Sequence, residues 1–128
     1  ILGICLGMQL LSSVGKEGGE ESEGLGLING KVEYLRSSTM NMRLPHVGWN
    51  NVHSGELSLF ESIPENSYFY FVHSYEVLLE EDIPIATCNY GVDFVAAFQK
   101  DNIVGVQFHP EKSQTAGLTL MQNFLKSV

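Results

Sequence analysis

The chain opens on an uninterrupted apolar stretch, Ile1-Leu2-Gly3-Ile4-Cys5, which reads as a buried strand entering a tight turn. Residues 6–14 then carry leucine and methionine, with Gly15 in the position of a helix C-cap, so the pattern predicts strand, turn and helix. Residues 16–24 are mostly glycine and glutamate without apolar periodicity, and predict a solvated acidic loop. Residues 25–28 and 31–35 flank Asn29-Gly30, a strong local turn signal, and predict two strands. A mixed loop-and-strand piece follows at 45–52, and 68–72 is a β-rich run ending at His73. From Ile85 the chain reads as a meander of strands at 85–88, 92–99 and 103–108, with Asp101-Asn102 at the last turn. Residues 115–128 place Leu118, Met121 or Gln122, Leu125 and Val128 at helical spacing. With no internal repeat, linker or low-complexity tract, one α/β layered domain is predicted.

Composition narrows the functional classes. The 44% hydrophobic and 17% charged residues are enough to fill a core, so disorder is not expected. A net charge of −8, without clustered Lys or Arg, argues against a nucleic-acid binder or a partner of anionic membrane surfaces. No apolar run approaches the roughly 18 to 20 residues that span a bilayer, and the first residues lack the pattern of a secretory signal. Two cysteines, Cys5 and Cys88, are too few for a disulfide framework and fit a reduced, cytoplasmic protein. The chain starts without Met and inside what reads as a buried strand, so residues 1–128 are expected to be the C-terminal part of one longer domain.

The chemistry centres on Cys5. Gly3-x-Cys5-x-Gly7 between a strand and a helix is the arrangement of a nucleophile elbow, with cysteine in place of serine. A nucleophile on so sharp a turn adopts strained dihedrals, and side chains two residues to either side are expected to collide, which accounts for both glycines. The helix predicted from Leu6 directs its positive end at the sulfur and favours thiolate. A base is still required. His109 ends the run 103–108 and is followed by Pro110, so its imidazole should emerge at the C-terminal edge of a strand, where open α/β sheets put their sites. Glu111, two residues on, is placed to fold back onto the imidazole N–H and fix its tautomer. His46, His53 and His73 show no such partner in the sequence, and no zinc or other metal site is expected. Cys88, between Thr87 and Asn89 on a predicted strand, reads as a buried structural thiol.

Gly3-Ile4-Cys5-Leu6-Gly7-Met8-Gln9 together with Phe108-His109-Pro110-Glu111 resembles the Cys-His-Glu signature of the class I glutamine amidotransferases. Pro45-His46-Val47-Gly48-Trp49-Asn50, Tyr70-Phe71-Val72-His73-Ser74-Tyr75 and Lys112 are similar to one branch of that family, the glutaminase subunits of imidazole glycerol phosphate synthases in histidine biosynthesis. The resemblance implies an open mixed sheet flanked by helices. It also implies a cofactor-free enzyme that hydrolyses L-glutamine, with Cys5 as nucleophile, His109 as acid and base, Glu111 orienting His109, and the N–H of Leu6 as an oxyanion donor. Gln9, Glu17, Ser74 and Tyr75 match positions that hold glutamine. Trp49, Asn50, Tyr70 and Lys112 match positions that face a partner, a cyclase β/α barrel that receives the ammonia.

In that family the first strands, and a glycine-rich loop supplying part of the oxyanion hole, precede the cysteine. By the same resemblance this chain lacks them, and on its own it is expected to be poorly active or poorly folded. Two other readings compete with the favoured one. The chain resembles other glutaminases of the family, such as those of GMP or CTP synthase, less well across 45–50 and 70–75. A catalytically silent module that docks on the barrel is the alternative of a different class.

Overall fold

The computed structural model describes residues 1–15 and 21–127. In chain order, β1 (Leu2–Ile4) turns into α1 (Leu6–Leu10), and β2 (Val14–Gly15) and β3 (Ser22–Glu23) follow. Then come β4 (Gly30–Tyr34), β5 (His46–Asn51), β6 (Tyr68–His73), β7 (Tyr75–Leu79), β8 (Ile85–Tyr90), β9 (Val92–Lys100), β10 (Ile103–Val106) and α2 (Gln114–Ser127). The α/β class agrees with the apolar pattern, and the strands sort into three ladders. One runs β1-β10-β9-β8, the second β3-β2-β4-β7, and β5 pairs with β6. The predicted meander is the antiparallel β8, β9 and β10. β1 joins it in parallel, with Leu2, Gly3 and Ile4 opposite Val104, Gly105 and Val106.

β9 divides the interior. Its register against β8 shifts between Ala86 and Thr87, which leaves Ala96 as the extra residue of a bulge. The bulge reverses the alternation of faces, so Phe94, Ala96 and Ala97 enter one core with Phe69, Phe71 and Phe108. Phe98 enters the other, with Met8, Ile28, Val32 and Val77. The unbroken apolar run 94–98 is the signature of a strand buried on both faces.

Three predicted elements differ from the structure. The helix expected over 6–14 stops at Leu10, and Val14–Gly15 is a strand paired in parallel with β4. The reason lies in the hydrogen bonds of residues 25–28, which are not a strand. The N–H groups of Leu25, Gly26 and Ile28 donate to the carbonyls of Leu10, Ser12 and Leu11 (2.8, 3.0 and 3.0 Å). This segment therefore caps the end of α1 instead of forming a ladder. The predicted acidic loop contains the short β3, which pairs with β2. Residues 16–20, and Val128 of the last helix pattern, lie outside the described residues.

α1 crosses β1 and β10 over a pair of glycines. A Cβ on Gly3 would lie 2.6 Å from the Gly7 carbonyl oxygen, and one on Gly105 would lie 2.5 Å from the Phe98 ring and 2.8 Å from Met8. Gly7 is different: a Cβ there meets no described atom within 4 Å, so the expected crowding exists only on the Gly3 side. At Gly3 the close approach is to backbone, which no rotamer change relieves.

His46 and His73, which showed no partner in the sequence, face each other at the first register position of β5 and β6. His46 Nδ1 and His73 Nε2 are 2.9 Å apart, and both residues are buried. The His46 ring stacks between Phe71 and Tyr90, with centroids 5.0 and 4.1 Å away. Burial lowers both imidazoles to about 4, with the neighbouring His73 adding to the effect on His46.

This packing has two measurable consequences. Gly3→Ala is expected to lower folding stability by about 1 to 3 kcal/mol, whereas Gly7→Ala is neutral or raises it by up to about 1 kcal/mol. Urea unfolding of the two variants checks the contrast. Because both buried imidazoles stay neutral when folded, the unfolded chain binds more protons between pH 6.5 and about 4. Stability is therefore complete above pH 6.5 and falls as the pH drops, by about 1.4 kcal/mol per pH unit for each histidine. Urea midpoints between about pH 6.5 and 5, above the carboxylate range, should show this slope, and His73→Gln should reduce it.

Candidate active site

Cys5 occupies the corner between β1 and α1 with φ 53° and ψ −108°. A residue with a Cβ holds such dihedrals only where its surroundings impose them. Here the constraint is the parallel pairing of β1 on β10, which continues into a Cys5 N–H bond to the Val106 carbonyl (2.8 Å). The Gly3 contact described above presses the start of α1 onto the same corner.

β10 delivers the second group. Because β1 and β10 run in parallel, Cys5 and the segment Gln107-Phe108-His109 leave the same edge of one ladder. The His109 N–H donates to the Tyr70 carbonyl (2.9 Å). The His109 carbonyl accepts the Ser113 hydroxyl (2.6 Å), and that hydroxyl accepts the Tyr70 N–H (3.0 Å). The backbone of His109 is thus tied to β6 and to the 3-10 turn Pro110–Lys112. Glu111 Oε2 lies 3.0 Å from His109 Nδ1. A carboxylate accepts, so in the neutral imidazole Nδ1 carries the proton and Nε2 is the bare nitrogen a base requires.

A small cavity of about 70 Å³ adjoins Cys5, walled by Leu6, Gln9 and the turn 72–75. It therefore gathers Cys5, Leu6, Gln9, Ser74 and Tyr75 of the sequence-derived set. Gln9 Nε2 donates to the Tyr75 carbonyl (3.5 Å) and to Gln107 Oε1 (3.3 Å). A wider cleft of about 370 Å³ continues past Leu6 and Gln9 toward Leu10, Glu23 and Val32. Glu17 lies outside the described residues.

Trp49 and Tyr70 are cross-strand partners on the outer face of β5 and β6, with ring centroids 5.7 Å apart, and Lys112 Nζ lies 5.8 Å from the Tyr70 ring centroid. Trp49 is 48% exposed and is not a core residue. Asn50, the fourth residue of that expected set, is half-buried. Neighbouring strand residues alternate faces, and its amide turns inward, donating to the Asn89 carbonyl (3.0 Å) and to His46 Nε2 (3.3 Å). Cys88 is fully buried, and burial pushes its thiol up to about 12.

Sequence reasoning passed over Gln107, which is fully buried and whose Nε2 donates toward Cys5 Sγ at 3.8 Å. Its signal was present: a lone amide inside the apolar run 103–108 needs partners if it is buried. Among the described residues no cluster of three or more His, Cys, Asp or Glu could hold a metal ion, and no helix is long and apolar enough to cross a membrane.

Comparison with known proteins places this geometry. Residues 1–128 match the family described as Glutamine amidotransferase class-I. The chain is 48% identical to the imidazole glycerol phosphate synthase subunit HisH of Methanosarcina barkeri, over 98% of this chain and 62% of that protein. It is 51% identical to the protein of the same name from Shewanella sediminis, over 98% of this chain and 57% of that protein. The chain thus spans about three-fifths of the length of these curated relatives. Among solved structures, a putative GMP synthase protein from Thermoplasma acidophilum superposes with a TM-score of 0.71 at 22% identity, over 99% of this chain and 56% of that one. A glutamine amidotransferase from Thermotoga maritima gives 0.63 at 20% identity, over 98% and 45%. The elbow at Cys5, the Glu111-braced His109 at the same edge of the ladder and the match along the whole chain lead to one assignment: the chain belongs to the class I glutamine amidotransferases.

Proposed function

We propose that this chain acts as the glutaminase part of an imidazole glycerol phosphate synthase, hydrolysing L-glutamine to glutamate and ammonia. One observation carries the reading: a cysteine held at a positive-φ corner and a Glu111-braced histidine leave the same edge of adjacent parallel strands. The near-50% identity to HisH proteins favours the histidine-biosynthesis branch over GMP or CTP synthase glutaminases.

In this mechanism the Cys5 thiol passes its proton to His109 Nε2, and Sγ attacks the carboxamide carbon. The oxyanion that forms is met by the Leu6 N–H. A donor of this kind is worth about 10² to 10³ in turnover. His109 returns the proton to the departing nitrogen, ammonia leaves, and a thioester remains. His109 then takes a proton from water; the hydroxide attacks the thioester, glutamate departs, and Sγ recovers its proton. Glu111 holds the imidazole in the tautomer these transfers need. Gln9, Ser74 and Tyr75 grip the amino-acid end of the substrate, and Glu17 pairs with its ammonium. No cofactor or metal enters these steps.

The ammonia passes to a cyclase β/α barrel on a separate chain, which docks on the outer face of β5 and β6. Trp49, Tyr70, Val47 and Val72 give that face an apolar centre, and Lys112 edges it with a cation. The complex works in the cytoplasm, where both thiols stay reduced.

A diazo-ketone analogue of glutamine should label Cys5 and spare Cys88. Cys5→Ala should lose labelling and glutamine hydrolysis together, and His109→Ala should reduce turnover by about 10² to 10⁴-fold. Assayed with the barrel present, labelling of Cys88 instead would overturn the assignment of the nucleophile. Trp49→Ala should weaken barrel binding by roughly 30-fold or more, read by titration calorimetry, if the ring is the anchor of the interface.

A further inference from the structure

The two buried histidines belong to an unbroken hydrogen-bond chain whose polarity is fixed from both ends. At one end, Asn50 Oδ1 accepts the Asn51 N–H (2.9 Å) and Asn50 Nδ2 donates to the Asn89 carbonyl, so the orientation of this amide is settled. Its second N–H points at His46 Nε2, which must be the bare nitrogen. His46 then carries its proton on Nδ1 and donates to His73 Nε2. At the other end, His73 Nδ1 lies 2.9 Å from the Tyr75 carbonyl, which only accepts, so Nδ1 of His73 is the protonated nitrogen. Both ends demand the same pair of tautomers. Protonating His73 would set two N–H groups against each other across the 2.9 Å contact, and protonating His46 would do the same against the Asn50 amide.

The chain does not stop at Tyr75. The same carbonyl accepts from Gln9, Gln9 donates to Gln107 Oε1, and Gln107 Nε2 donates toward Cys5 Sγ. Every amide hydrogen used has one acceptor, and no link needs a charged group. His73, Tyr75, Gln9 and Cys5 all wall the small cavity, and His46 reaches it only through His73.

We propose that His46 and His73 are positioning residues for glutamine binding: as a neutral Nδ1–H pair they hold the Tyr75 carbonyl, and through it the Gln9 amide, in place beside Cys5. The proposal rests on the glutaminase reading above and extends it to two side chains that act through Tyr75 and Gln9 rather than on the sulfur. The neutrality of both rings agrees with their burial.

The test separates this role from packing. His46→Phe keeps the ring stacked between Phe71 and Tyr90 but removes the donor to His73. His46→Asn removes the ring but returns an N–H near the place of Nδ1. Measured on the protein with the cyclase barrel present, His46→Phe should raise KM for glutamine about 5 to 10-fold with kcat within about twofold, and His46→Asn should restore most of the affinity. The opposite order, with His46→Phe normal and His46→Asn impaired, would overturn the proposal in favour of ring packing. Two-bond ¹H–¹⁵N correlation on the unmutated protein at about pH 7 should show both rings as Nδ1–H tautomers, and an Nε2–H form of either would overturn the proposal even if a variant failed to fold. Measured on the full-length protein with the barrel present, both Nδ1–H tautomers without glutamine binding or hydrolysis would overturn the glutaminase reading, and the assignment to glutamine with it.

Discussion

The parallel pairing of β1 with β10 is the constraint on which the site depends. Parallel strands end at the same edge, so one short ladder brings together a residue from the start of the chain and one more than a hundred positions later. It also supplies the acceptor, Val106, that holds the Cys5 N–H while the backbone turns through φ 53°. A strained corner persists only where several contacts determine it at once. Here these are the Val106 bond, the Gly7 carbonyl pressed on Gly3, and Met8 packed on Gly105.

Buried polarity is concentrated around that corner. Gln9, Gln107, His46 and His73 are all buried and lie in one network, each with a partner. An unpartnered buried amide or imidazole would cost about 1 to 3 kcal/mol, so the network defines its own geometry more sharply than an apolar core would. Glu76 follows the same rule elsewhere. Its fully buried carboxylate takes a two-pronged bond from Arg36 (2.9 and 3.1 Å) and a third from the Arg36 backbone N–H. The contact raises the Arg36 guanidinium above its ordinary value.

Legibility in the sequence followed the range of the interactions. The meander of β8 to β10 was readable from short apolar runs bounded by turn residues, and the last helix because its apolar positions recur locally. The end of α1 was not, because the donors that cap it come from 25–28, and nothing near Leu10 announces them. Asn29-Gly30 carried the right turn chemistry, yet β4 pairs with β2 and β7 rather than with the residues before the turn. The extra glycine at position 7 looked like its mate at 3, and only the crossing of helix over strand shows that one is crowded and the other open.

By itself, the order of residues determined the family, the α/β class and the candidate nucleophile, base and orienting carboxylate. Such motifs compress chemistry into a few neighbouring positions: an elbow needs its glycine two residues away, and a histidine needs its carboxylate two residues on. Tertiary structure alone decided that Asn50 turns inward, that Gln107 stands beside the sulfur, and that His46 and His73 meet. These last two contacts join residues 102 and 27 positions apart. Which side chains meet across such distances is set by register, where a shift of one residue exchanges the faces of a strand.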